Sequence, residues 1–171
     1  MLLTDSDFAT DTSNSKSMSS WIDGVKAVES RATLDWGVKK QGSVSRSTGE
    51  SETNAVCDGT TRSAIPVSLV LEDLGCKVKS HLKSDSSAAL SGLKSPKTSK
   101  MRMMKKTHRI NLHWLAGLVG SFFETVEKVH TDVNTSDIGT KTLAKERFVM
   151  LRDMIDVVAR STGKASLAAA A

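Results

Sequence analysis

The spacing of apolar positions changes several times along this chain, and each change marks an element. Leu2-Leu3-Thr4 leads into Asp5 as a short extended piece, with Met1 so close ahead that the first strand is expected to be clipped. Between Asp11 and Ser20 nearly every residue is Ser, Thr, Asn or Lys, a polar loop entering a second strand near Trp21 to Val28. Ala32 to Trp36 and Ser43 to Ser45 read as a further strand pair around a Lys39-Lys40-Gln41-Gly42 turn. Trp21, Trp36 and Trp114 are expected in the core or half-buried.

From Ser47 the period lengthens to that of a helix. Ser47 or Thr48 caps it, Ala55, Val56, Ala64, Val67, Val70, Leu71 and Leu74 supply its apolar positions, and Gly75 stops it. Pro66 falls inside, where it removes a hydrogen bond at a cost of about 3 kcal/mol, so the pattern predicts a kink or two shorter helices. Cys76 to Lys83 alternates like a strand ending at Asp85, and Ser86 to Leu93 reads as a short helix. Residues 94–107 lack apolar periodicity and form a basic loop. A helix over Ile110 to Val119 and a β segment over Phe122 to Val129 follow, and Leu143, Phe148, Leu151, Met154, Ile155 and Val158 recur at helical spacing. The order predicts one mixed α/β domain over residues 1–158, opening with an antiparallel meander, and an Ala/Ser-rich tail over 159–171 that frays.

Composition narrows the class. With 171 residues, 39% of them hydrophobic, the chain fits one domain with a modest core. No apolar run approaches the roughly 18–20 residues that span a bilayer, and no basic-then-apolar leader opens the sequence, which reads as intracellular, in cytoplasm or nucleus, without a membrane partner. Cys57 and Cys76 lack metal-site spacing and read as reduced structural thiols. Net charge is +5, unevenly spread: from Ser86 to Phe123 there is no acid, while Lys94, Lys97, Lys100, Arg102, Lys105, Lys106 and Arg109 are all basic. Such a block suits a polyanion, although a solvated basic loop is the plainer reading of one charge run.

Asp5, Glu52, Asp85 and Asp137 each occupy a short Ser/Thr-rich context that a metal-dependent nuclease could use. Taken singly, such an acid is more often a turn residue or a helix cap. Hard Mg²⁺ wants oxygen ligands, and two ions about 3.5–4 Å apart can activate a water and stabilise the leaving oxygen of a phosphodiester. Clustered without metal, four carboxylates repel and at least one pKa rises.

Four blocks then carry a resemblance: Thr4-Asp5-Ser6-Asp7-Phe8-Ala9; Trp36-Gly37-Val38-Lys39-Lys40-Gln41 with Ser47-Thr48-Gly49-Glu50-Ser51-Glu52; Ser84-Asp85-Ser86-Ser87-Ala88; and Asn134-Thr135-Ser136-Asp137-Ile138-Gly139-Thr140-Lys141. In order and spacing they resemble the ribonuclease H domain at the C-terminal end of Ty1/copia-type retrotransposon polyproteins, from about Leu3 to Val158. The resemblance implies a ribonuclease H-like fold, a five-stranded mixed sheet with flanking helices. It implies hydrolysis of the RNA strand of an RNA/DNA hybrid with two Mg²⁺ or Mn²⁺ ions, beside a reverse transcriptase domain of the parent polyprotein. Carried over by position, Asp5, Glu52, Asp85 and Asp137 are the metal ligands and catalytic acids. Glu52 is preferred to Glu50 because the small apolar pair Ala55-Val56 follows it. His130 is a candidate for proton transfer, against the plainer reading of an ordinary surface or core histidine. Ser86 and the basic stretch are candidates for contact with the nucleic-acid backbone. Thr53 in place of an aromatic residue, Pro66 in the helix, and a segment after Thr107 that keeps His108 but departs from the pattern support an alternative: a decayed retroelement remnant that binds nucleic acid without cutting it.

Overall fold

In the computed structural model, which describes residues 1–11, 13–96, 104 and 106–157, five strands form one mixed sheet in the order β3-β2-β1-β4-β5. β1 (Leu2–Asp7), β2 (Met18–Lys26) and β3 (Arg31–Lys40) are an antiparallel meander, while β4 (Ser80–Ser84) and β5 (Phe123–Lys128) add parallel to the other side of β1. β1 is therefore central. Its residues Leu2 to Ser6 are all buried, as a strand covered on both faces requires; Asp5 pairs with Ser20 of β2, and the ladder to β4 runs up to the preceding residue, Thr4.

The expected turn at Lys39 to Gly42 does not form. β3 continues through Lys40, paired with Met18, and the Gln41 side chain turns inward to donate to Ser51 O (2.9 Å) and Ser19 Oγ (3.1 Å). Anchored there, Ser43 to Ser45 lead into the next helix and build no strand. β3 is an edge with one face open, which leaves Trp36 69% exposed where a core or half-buried position was expected; Trp21 is buried and Trp114 half-exposed.

Ser47 caps α1 (Thr48–Gly59) by accepting from the Glu50 amide. A single π-helical turn, Thr60–Ala64, joins it to α2 (Ile65–Asp73). Pro66 explains the junction: without an amide proton it cannot continue the α ladder, and it occupies the first turn of α2, where that proton has no partner anyway. The Ile65 amide instead reaches back to Thr60 O, so the break expected at the proline is a widened turn. β4 starts later than the alternation from Cys76 suggests. α3 (Ser87–Lys94) is capped by Ser86, and α4 (Lys106–Leu118) begins about a turn earlier than its apolar pattern.

α1, α3 and α4 pack on one another beside the sheet, around Leu2, Trp21, Val56, Leu82, Leu112, Leu115 and Phe123. Gly59 lets α1 lie close, since a side chain there would meet Trp21, Thr4 and Leu2 at 3.0–3.3 Å. Two 3₁₀ turns (Thr131–Val133 and Thr135–Gly139) and α5 (Lys145–Met154) complete the described chain. The second turn lies against β1 and β2, where a Cβ on Gly139 would strike Ser20 Oγ at 2.3 Å and Val38 Cγ2 at 2.5 Å. That close approach seats Asp137 above β1. No described helix is long and apolar enough to cross a membrane.

Candidate metal centre

Asp5 lies on the central strand and Asp85 follows the last residue of its parallel neighbour β4, so two acids leave adjacent strand ends at the same edge. Asn134 fixes the third. Its buried side chain donates to Thr4 O (3.2 Å), accepts from Ser136 Oγ (2.6 Å), and so pins the 3₁₀ turn that carries Asp137 to the backbone beside Asp5. One carboxylate oxygen from each of Asp5, Asp85 and Asp137 lies within 4.8 Å of the others, a group able to hold a metal ion.

Glu52 comes from α1 and is 5% exposed. Its Oε2 is buried with no hydrogen-bond partner among the described residues. Burial raises its pKa from 4.5 to about 8, with the charges of Asp5 and then Asp85 acting in the same direction, so Glu52 faces those two acids. Burial likewise lifts Asp5 from 3.8 to about 6, against the Thr140 hydroxyl and Lys141, and with Asp137 and Asp85 adding to the rise. At Glu52 a hydrogen bond with the Ser6 side chain and, least of the five causes, the charge of Lys141 act against the rise, so positive charge is weak on the Glu52 side. A buried carboxylate oxygen left unpaired beside other carboxylates is costly unless a cation supplies the missing contact, so these donors fit a hard divalent ion.

The other acids have partners. Asp85 Oδ2 accepts from Thr131 Oγ1 at 2.9 Å. Asp137 Oδ1 meets Lys141 Nζ at 2.7 Å and its Oδ2 meets Arg147 Nη2 at 2.7 Å, while Lys141 Nζ also lies 3.3 Å from Asp5 Oδ1 and Thr140 Oγ1 donates to Asp5 Oδ2. The Lys141 ammonium loses by burial but gains more from Asp137 and Asp5, which hold its pKa above the ordinary value. Lys141 belongs to the Thr-Lys pair of the fourth block, and that pair was the available signal for its place here. Arg147, ten residues beyond Asp137, carried none.

His130 is exposed, its Nδ1 3.3 Å from Asp132 Oδ2, and its neighbour Thr131 is the residue that touches Asp85. Ser86 spends its hydroxyl capping α3, accepting from the Ala89 amide at 3.3 Å. Lys94, Lys106 and Arg109 are exposed on α3 and α4 without a bond to the acids. Lys97, Lys100, Arg102 and Lys105 lie outside the described residues, as does the tail over 159–171. Glu50 is engaged elsewhere, its Oε1 2.5 Å from the Nδ1 of His108, a buried histidine.

No family model matches this sequence, and no curated protein matches it. Among solved structures the chain is similar to the N-terminal RNase H domain of Rv2228c from Mycobacterium tuberculosis, determined as a fusion with maltose-binding protein, with a TM-score of 0.51 and 14% identity over 90% of this chain and 95% of that one. The chain has a ribonuclease H-like fold. At that identity the likeness speaks for architecture, and the chemistry has to be argued from the side chains.

Proposed function

We propose that this protein is a ribonuclease H-type nuclease of Ty1/copia retrotransposon descent, cutting the RNA strand of RNA/DNA hybrids with Mg²⁺ or Mn²⁺ held by Asp5, Glu52, Asp85 and Asp137. The observation that carries this reading is Glu52 Oε2, buried and unpartnered beside Asp5 and Asp85. Such a group asks for a partner, and a cation bound among the acids would supply one. Bound there, two divalent ions would activate a water for in-line attack and stabilise the departing oxygen.

The chain's own residues do the rest. Asn134 and Gly139 hold Asp137 against β1, Thr131 orients Asp85, and α1 delivers Glu52 across the strand ends. His130, exposed and one residue from the Asp85 contact, would be the candidate for proton transfer. Exposed Lys94, Lys106 and Arg109 offer phosphate contacts, and selection of hybrids would rest on the shape of the duplex and on 2′-hydroxyl contacts more than on base sequence. In the parent polyprotein the partner would be a reverse transcriptase.

The test is cleavage of a labelled hybrid by purified protein with and without Mg²⁺ or Mn²⁺. Asp85→Asn is expected to lower turnover by more than about a hundredfold, beyond the range seen when residues behind metal ligands are lost. Equal cutting by that variant would remove Asp85 from the site. Salt-sensitive hybrid binding with no metal-dependent product would favour the binding-only remnant.

A further inference from the structure

Lys141 joins two acids that come from opposite ends of the chain. Its Nζ is 2.7 Å from Asp137 Oδ1 and 3.3 Å from Asp5 Oδ1, and Thr140 and Arg147 occupy the remaining oxygen of Asp5 and of Asp137 respectively. This half of the acidic cluster is satisfied by protein groups. The other half is not: Glu52 Oε2 has no partner among the described residues, and the carboxylates facing Glu52 are Asp5 and Asp85. Asp5 is common to both halves, and since Asp5, Asp85 and Asp137 lie within 4.8 Å of one another, the Lys141 ammonium takes up one side of a shared cluster while the Glu52 side holds an unpartnered oxygen.

Charge supports the same division. With all four acids ionised, as a bound cation would make them, Lys141 and Arg147 offset two of the carboxylates and leave a deficit that a single divalent ion would cancel. The two bases are held differently. Arg147 also binds Thr131 O at 2.9 Å and lies 3.6 Å from Asp132, a forked grip on three groups. Lys141 is a compact charge on a flexible stem, 38% exposed, and able to swing into water without opening the core.

We propose that Lys141 is an internal cation occupying the position shared by Asp5 and Asp137, so that one divalent ion binds beside Glu52 with the lysine in place and a second binds only by expelling it. The inference rests on reading the four acids as a cation site. It gives the protein a resting form with one ion and an armed form with two, and it makes Lys141 the residue that sets the threshold between them.

Mn²⁺ alone, titrated into the full chain and followed by calorimetry and by the free-ion paramagnetic signal, tests this without reference to cleavage. The wild type is expected to bind one ion at least tenfold more tightly than the second. Lys141→Met should tighten the second step about tenfold and leave the first nearly unchanged; Lys141→Arg, which keeps the charge, should leave the second step weak. Should the methionine variant fold poorly, wild-type protein gives the same answer through an amine-reactive reagent read by mass spectrometry: Lys141 is protected at low Mn²⁺ and labelled once the second step fills. A second step unchanged or weakened in Lys141→Met, or labelling of Lys141 indifferent to Mn²⁺, overturns the proposal while leaving the cation site standing. If the wild type takes up no Mn²⁺ at all, the cation site itself falls and this inference with it.

Discussion

Glu50 and Glu52 stand two residues apart at the start of α1, both buried, and the protein treats them in opposite ways. Glu50 is built in: Oε1 meets His108 Nδ1 at 2.5 Å, Oε2 accepts from the Arg46 amide at 2.6 Å, and His108 Nε2 rests on Ser43 Oγ at 2.7 Å. This network ties α1 to α4 and to the segment after β3. Glu52, by contrast, has an oxygen with no partner among the described residues and acidic neighbours that make its ionisation harder. A satisfied buried carboxylate holds elements together, whereas an unsatisfied one is a cost to the fold that calls for a reason.

The largest effect that would break this contrast lies on the structural side. His108→Ala takes the histidine from Glu50 Oε1 and leaves Oε2 on the Arg46 amide, and removing one partner of a buried pair is expected to cost about 3–5 kcal/mol, a large part of a domain's stability. Urea unfolding measures it, and a loss below about 1 kcal/mol would mean that the pair is ornamental.

Glu52→Gln should do the reverse. In the folded protein the pKa values of Glu52 and Asp5 are raised to about 8 and about 6, so over that range the folded state holds more protons than the unfolded one. The favourable contribution is therefore complete below the unfolded values near 4 and is lost as pH rises through about 6 and then about 8. Metal-free wild type should melt lower at about pH 8 than at about pH 5, and saturating Mg²⁺ should flatten the slope. Glu52→Gln should remove the upper part of that slope, gain about 1–3 kcal/mol at about pH 8, and abolish hybrid cleavage. Melting curves across pH, with and without Mg²⁺, check all three at once. Stability that rises with pH would have the wrong sign for this account.

The sequence made most of the strands and the capped start of α1 legible because each rests on local chemistry: period two, and Ser47 ahead of a helical run. What lay outside its reach were partners chosen across the fold. Gln41 looks like a turn residue beside Gly42, and only its buried bonds to Ser19 and Ser51 carry the backbone past the expected turn. Trp36 looks like core, but it lies on the open face of an edge strand. His108 was visible, yet its bond to Glu50 spans 58 residues, and Arg147 meets Asp137 through a helix whose position no local pattern reports. In the sequence Glu52 is preferred to Glu50 for the apolar pair that follows it; the histidine that claims Glu50 is a firmer ground for proposing Glu52.

Ser43→Ala is the smallest change that sharpens the contrast, because it touches the outermost member of the Glu50 network. Ser43 is half-buried and lines a cavity of about 240 Å³ with His108, Asn54 and Gln41, so a water can replace the lost hydroxyl on His108 Nε2. Asn54 Nδ2, 3.4 Å from the same nitrogen, remains in place. An exchangeable hydrogen bond is worth about 0.5–1.5 kcal/mol net, and solvent access puts this one at the lower end. Unfolding should shift by less than about 1 kcal/mol, with hybrid cleavage within about twofold of wild type. A loss as large as that of His108→Ala would place the strength of the network in the loop after β3 instead of in the bond between Glu50 and His108.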